Sequence, residues 1–90
     1  MTGFVWSRTF PDSHYDFLAR DADGYLVGRI LRHHGGPQGG KWAWHANGIN
    51  AAPSTVGCDL NGMADTRDEA IERLHAAWAK WMEMGGHRVL

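Results

Sequence analysis

The sequence predicts one α+β domain, a three- to four-stranded antiparallel sheet in β-β-β-α order packed on one long C-terminal helix. Three observations carry that prediction: an apolar repeat of three and four residues in the last third of the chain, an alternation of period two across residues 14–47, and turn residues between successive apolar runs. Ninety residues suffice for one core and not for two.

In chain order, residues 1–13 form an N-terminal segment in which "FVWSRTF" can make an extra strand ended by Pro11. The runs "HYDFLAR" and "YLVGRILRH" are separated by Asp21-Ala22-Asp23-Gly24, and an aspartate-glycine pair between apolar runs is a hairpin signal. The second run is followed by "HHGGPQGGKWAW", whose glycine-rich turn leads into a short third strand, "KWAWHA", broken by Asn47-Gly48. Residues 48–65 read as a connection with a brief fourth strand around Ser54 to Cys58.

The helix is expected over 66–84. Thr66 followed by Glu69 fits a capping box, Asp68 and Glu69 complement the helix dipole, and Gly85 and Gly86 permit a left-handed stop. Ile71, Leu74, Trp78, Trp81 and Met82 recur at helical spacing and define its apolar face. If His34 and Lys41 close the second hairpin symmetrically, Tyr25, Val27, Leu31, Trp42 and Trp44 face the helix, and Arg29 falls on that side with them. Leu26, Gly28, Ile30, Arg32, Lys41, Ala43 and His45 then lie on the opposite side, and a slip of one residue would exchange the two sets.

Nine basic against ten acidic residues exclude a protein that coats polyanions through global charge. The distribution is uneven: residues 24–58 contain Arg29, Arg32 and Lys41 and no acid, together with His33, His34 and His45. Arg29, Arg32, His34, Lys41 and His45 are therefore the candidate contacts for a partner or for nucleic acid. The five tryptophans can each bury on the order of 200 Å2, enough to supply much of a small core.

Enzymatic chemistry finds little footing. Adjacent His33 and His34 point to opposite faces of a strand and cannot share one ion, and no paired-cysteine or His-x-x-x-His spacing accompanies them. Cys58 is the single cysteine, so no intrachain disulfide forms. Asp21 and Asp23 sit where a turn favours aspartate. "GGPQGG" joins two strands, whereas a phosphate loop leads into a helix. No metal, cofactor or catalytic residue is expected.

A soluble cytoplasmic protein is expected too, since the first residues lack a secretory apolar core and no run approaches the roughly 20 residues of a membrane span. A sheet covered on one side leaves a face and two edges for a partner. A protein partner or a second copy of the chain is the first expectation, with Leu26, Ile30 and Ala43 as the patch and Trp6 as an anchor. Nucleic acid bound through residues 29–45 is the second.

The segments "GYLVGRI", "GPQGGKWAWHANG" and "GMADTRDEAIERLHAAW" resemble, in order and spacing, a group of small bacterial proteins with a Gly-Arg-Ile strand, a Trp-x-Trp strand and a Thr-x-x-Glu-Ala helix. The likeness covers about residues 24 to 82, and the group has no assigned activity to transfer. "GCDLNGMADTRDEAIERLHAA" also looks like antitoxins of the HicB type. That resemblance implies a three-stranded sheet on a helix and a small ribonuclease toxin as partner.

Overall fold

The computed structural model describes residues 3–37 and 39–89. Its strands are β1 (Val5–Arg8), β2 (Asp16–Arg20), β3 (Leu26–Arg32), β4 (Trp42–His45) and β5 (Asn61–Ala64). Its helices are α1 (Pro53–Val56) and α2 (Arg67–Glu83). The strands make one antiparallel sheet in the order β1-β2-β3-β4-β5, and α2 lies against β3, β4 and β5. The α+β class is as predicted, with five strands in place of three or four.

The expected helix is present because its ends are satisfied locally. The Glu69 amide donates to Thr66 Oγ1 at 3.1 Å, and the Glu69 carboxylate accepts from the Asp65 amide at 3.3 Å, one residue further back than a standard box. Gly85, at φ +72°, lets the chain turn back, and the Gly86 amide donates to the Trp81 carbonyl at 2.9 Å.

The buried stripe is Ala70, Leu74, Ala77, Trp78 and Trp81. Ile71 is half-buried, and Met82, expected in the stripe, is exposed. Alanines at 70 and 77 allow close contact with the sheet, and Gly28 beneath them does the same from the other side. A Cβ on Gly28 would lie 2.8 Å from Leu74 Cδ1 and collide with the His45 carbonyl.

Between β4 and β5 the expectation is corrected. Residues 54–58 are not a strand, because Pro53, which has no amide proton to lose and a φ suited to the first helical turn, starts α1, and Gly57 in the left-handed region ends it. The extra strand is instead β5, "NGMA", which pairs with β4 through Trp42↔Ala64 and Trp44↔Gly62.

The register of the second hairpin differs by one residue from a symmetric His34–Lys41 closure. His33 pairs with Lys41, its amide donating to the Lys41 carbonyl at 2.9 Å and its carbonyl accepting from Gly40 at 2.9 Å. Ile30 therefore stands opposite Trp44, and Leu31 opposite Ala43. Ile30 joins Trp42 and Trp44 under the helix, and Leu31 moves to the outer face. Trp42, Trp44, Trp78 and Trp81 all belong to the core, with Trp6 packed against its edge.

Candidate functional site

The register divides the five candidate residues between the two faces. Arg29 and His45 are direct cross-strand partners on the face away from α2, and Lys41, two residues before Ala43, shares that face. Arg32 stands opposite Trp42 on the helix side. His34 is exposed beyond the end of β3, its ring 5.6 Å from that of Tyr15. No single basic fringe is formed.

On the outer face Arg29 and Lys41 stand beside acids, while Arg20 has a backbone carbonyl as its partner. Arg29 makes a two-pronged ion pair with Asp16, its Nε donating to Oδ1 at 2.7 Å and its Nη2 to Oδ2. Asp16 is 7% exposed, and the Arg29 guanidinium holds its carboxyl below the ordinary carboxylate range against the opposing effect of burial. Lys41 lies 3.8 Å from Asp65, and both are well exposed, so this pair adds little stability. Burial, reinforced by the charges of Arg29 and His33, pushes the His45 imidazole down and favours its neutral form. Around these groups stand half-buried Leu18 and Leu31 and exposed Val5 and Met63.

The patch expected from Leu26, Ile30 and Ala43 does not exist as such. Ile30 is 1% exposed and lies in the core, and Ala43 is covered by its neighbours on the outer face.

Charge and aromatic surface coincide instead on the helix side of β1 and β2, beside the first turns of α2. Trp6, Phe17, Ile30, Ile71 and Arg67 line a groove of about 290 Å3 there. Arg8 is paired with Phe17 across β1 and β2. The Arg32 guanidinium sits 5.2 Å above the Tyr15 ring, and Phe17 stacks on Trp42 at 6.4 Å. Sequence reasoning named Trp6 and Arg32 and missed Arg8 and Arg67. Their spacing gives no local signal, because three separate elements bring these residues together.

Other residues have structural partners. Asp21 Oδ1 accepts from the amides of Asp23 and Tyr25, as expected of a turn aspartate. Arg88 adds an unforeseen clamp, its Nη1 donating to Asp21 at 3.1 Å and Asp23 at 2.9 Å while its guanidinium lies over Tyr25. Cys58 lines a cleft of about 310 Å3 beside Asp59, Arg73 and Lys80, and the Lys80 ammonium donates to the Gly57 carbonyl.

Among the described residues no group of three or more His, Cys, Asp or Glu is placed to hold a metal, and no helix is long and apolar enough to cross a membrane. No family model, no curated protein and no solved structure matches this chain.

Proposed function

We propose that this domain is a non-enzymatic binding module that pairs with a second copy of itself through the outer face of the sheet. The carrying observation is charge matching on that face: Asp16 neutralises Arg29 and Asp65 stands by Lys41, so the surface can be desolvated without a net polyanion-seeking charge. Arg20, on the same face at the β2 end, donates to the Gly24 carbonyl at 3.0 Å.

Acid and base side by side on one patch also suit a twofold contact, in which the same patch must complement itself. Five strands about 4.8 Å apart and some 17 Å long present roughly 400 Å2 in projection, and more once side-chain relief is counted. That is about half of the roughly 800 Å2 per partner of a standard specific interface, so the pair is weak and concentration-dependent.

Sedimentation equilibrium from about 10 μM to about 1 mM, a range chosen for a weak complex, tests the reading. A monomer–dimer transition is expected, and Met63→Glu, at an exposed position on this face, abolishes it without lowering the melting temperature. A protein that stays monomeric across the range, or a Met63→Glu variant that still dimerises, overturns the proposal.

A further inference from the structure

The helix side of the sheet carries a second, independent surface. A sheet of five strands is wider than one helix, and α2 occupies the part over β3, β4 and β5. The uncovered width over β1 and β2 is two strand spacings, about 10 Å, and the diameter of a helix is about 10–12 Å. Toward the C-terminal half of α2 this space is closed by the stack of His75 on Phe4, and the stretch beside Arg67 and Ile71 stays open, about as wide as one helix.

Its floor is apolar. Trp6, Phe17, Ile30 and Ile71 face the groove of about 290 Å3, a volume at the bottom of the roughly 300–1,000 Å3 range of pockets that enclose a small molecule. An open trough of this size suits the side chains of a larger partner.

Its rim is cationic, in contrast to the outer face. Among the described residues Arg8 and Arg32 make no ion pair, and the one carboxylate near Arg67 is its exposed neighbour Asp68 at 3.7 Å. Arg8 flanks Phe17 from β1, Arg32 stands two residues from Ile30 on β3, and Arg67 forms the α2 wall. Arg67 thus lines the groove itself, and Arg8 and Arg32 stand beside it on β1 and β3, Arg32 over the Tyr15 ring. Burying the floor under a partner leaves them at the edge of the contact, where they select acidic flanks.

We propose that this groove receives an amphipathic helix of a partner protein, apolar on the inserted face and acidic on both flanks. A protein helix fits better than a single-stranded nucleic acid. Stacked bases need flat, open ring faces, whereas half of the apolar lining is the branched side chains of Ile71 and of Ile30 beneath it. The site lies on the opposite face from the self-pairing surface and stands whether or not the chain dimerises.

The experiment is a selection from a displayed library of random peptides about 15 residues long, enough for four helical turns, against the full chain. The double variant Arg8→Glu/Arg67→Glu serves as the counter-target. Both positions are exposed, and matching melting curves establish that the variant is folded. Enriched peptides are expected to place apolar residues at i, i+3, i+4 and i+7 with an excess of Asp and Glu beside them. They should lose at least about tenfold in affinity for the double variant and shift the amide resonances of residues 5–8, 16–19 and 67–71.

Selection of nothing overturns the proposal, and so does enrichment of peptides without helical spacing or acidic excess, or of peptides that bind the variant equally well. In parallel, a single-stranded oligonucleotide is titrated into the labelled protein. If it shifts the same resonances and the peptides do not, the groove is a nucleic-acid site and the proposal fails.

Discussion

The two faces of this sheet are built from alternate residues of the same five strands, yet they solve opposite problems. Toward α2 the rows run through Phe17, Ile30 and Trp44, and the apolar surface is removed from water. Away from α2 the neighbouring rows contain Asp16, Arg29 and His45, and charge is dealt with by pairing. The helix side holds the fold together where α2 covers it and leaves unmatched arginines where α2 stops. The lesson is that a count of cations along a strand says little about a binding surface. Parity along the strand decides which cations meet an acid and which remain available.

The contrast can be broken most severely from the helix side. Trp78→Ala or Trp42→Ala should destabilise the protein by about 3–5 kcal/mol, as large core truncations do, against a total of roughly 5–13 kcal/mol for a domain of this size. Met82→Ala, at an exposed site on the same helix, should stay within about 0.5 kcal/mol. Chemical denaturation of the three variants measures the difference. Equal losses at Trp78 and Met82 would mean that the helix is rotated from the orientation described.

On the outer face the expected effect is smaller. Asp16→Ala strands a guanidinium that is one-third exposed, so water repairs part of the damage and the loss should be about 1–2 kcal/mol. Adding Arg29→Met should recover some of it, because no unpaired charge then remains. A double-mutant cycle by denaturation reads this directly, and strict additivity of the two changes would show that the ion pair is not coupled.

The smallest effect is on pH dependence. His45 and His75 both have imidazoles held down by burial, His75 while stacked 3.8 Å from Phe4. The unfolded chain therefore binds protons more readily than the folded one, and stability falls as pH drops below about 6.5. Asp16 has a depressed carboxyl, so its contribution persists to lower pH and is lost only as the solution becomes acid enough to protonate it in the folded state, below about 4. Melting curves from pH 8 to pH 3, a span covering both reference values, should show two successive declines. His45→Gln with His75→Gln should flatten the first and leave the second.

Helix α2 and the β2–β3 hairpin were legible in the sequence because their signals are local. Thr66 with Glu69, and Asp21 followed by Gly24, make their hydrogen bonds within a few residues. The β3–β4 register was not legible. Gly35, Gly36 and Gly40 all adopt positive φ, and so glycine-rich a turn can close at more than one length. What settles the choice is tertiary: Trp42 and Trp44 need an apolar neighbour under the helix, and Ile30, flanked by Gly28, meets that need where Leu31 does not.

Strand β5 escaped notice for a related reason. "NGMA" lacks β-branched and aromatic residues, and it becomes a strand because β4 presents an edge to it. Of the groove, Trp6 and Arg32 were named from the sequence and Arg8 and Arg67 were not, and the faces of Arg29 and Arg32 depend on a register that a slip of one residue exchanges.

The clamp of Arg88 on Asp21 and Asp23, with the bridge between Leu26 and Val89, joins the C-terminal tail to the first hairpin. Every strand pairing in the meander connects sequence neighbours, a topology whose short loops favour rapid formation. The tail contact spans 67 residues, and a contact of that sequence separation is expected to form last, after the sheet and α2. Interactions made that late act on the escape rate. Arg88 therefore works as a latch in time: its loss should hasten unfolding while leaving the speed of folding unchanged.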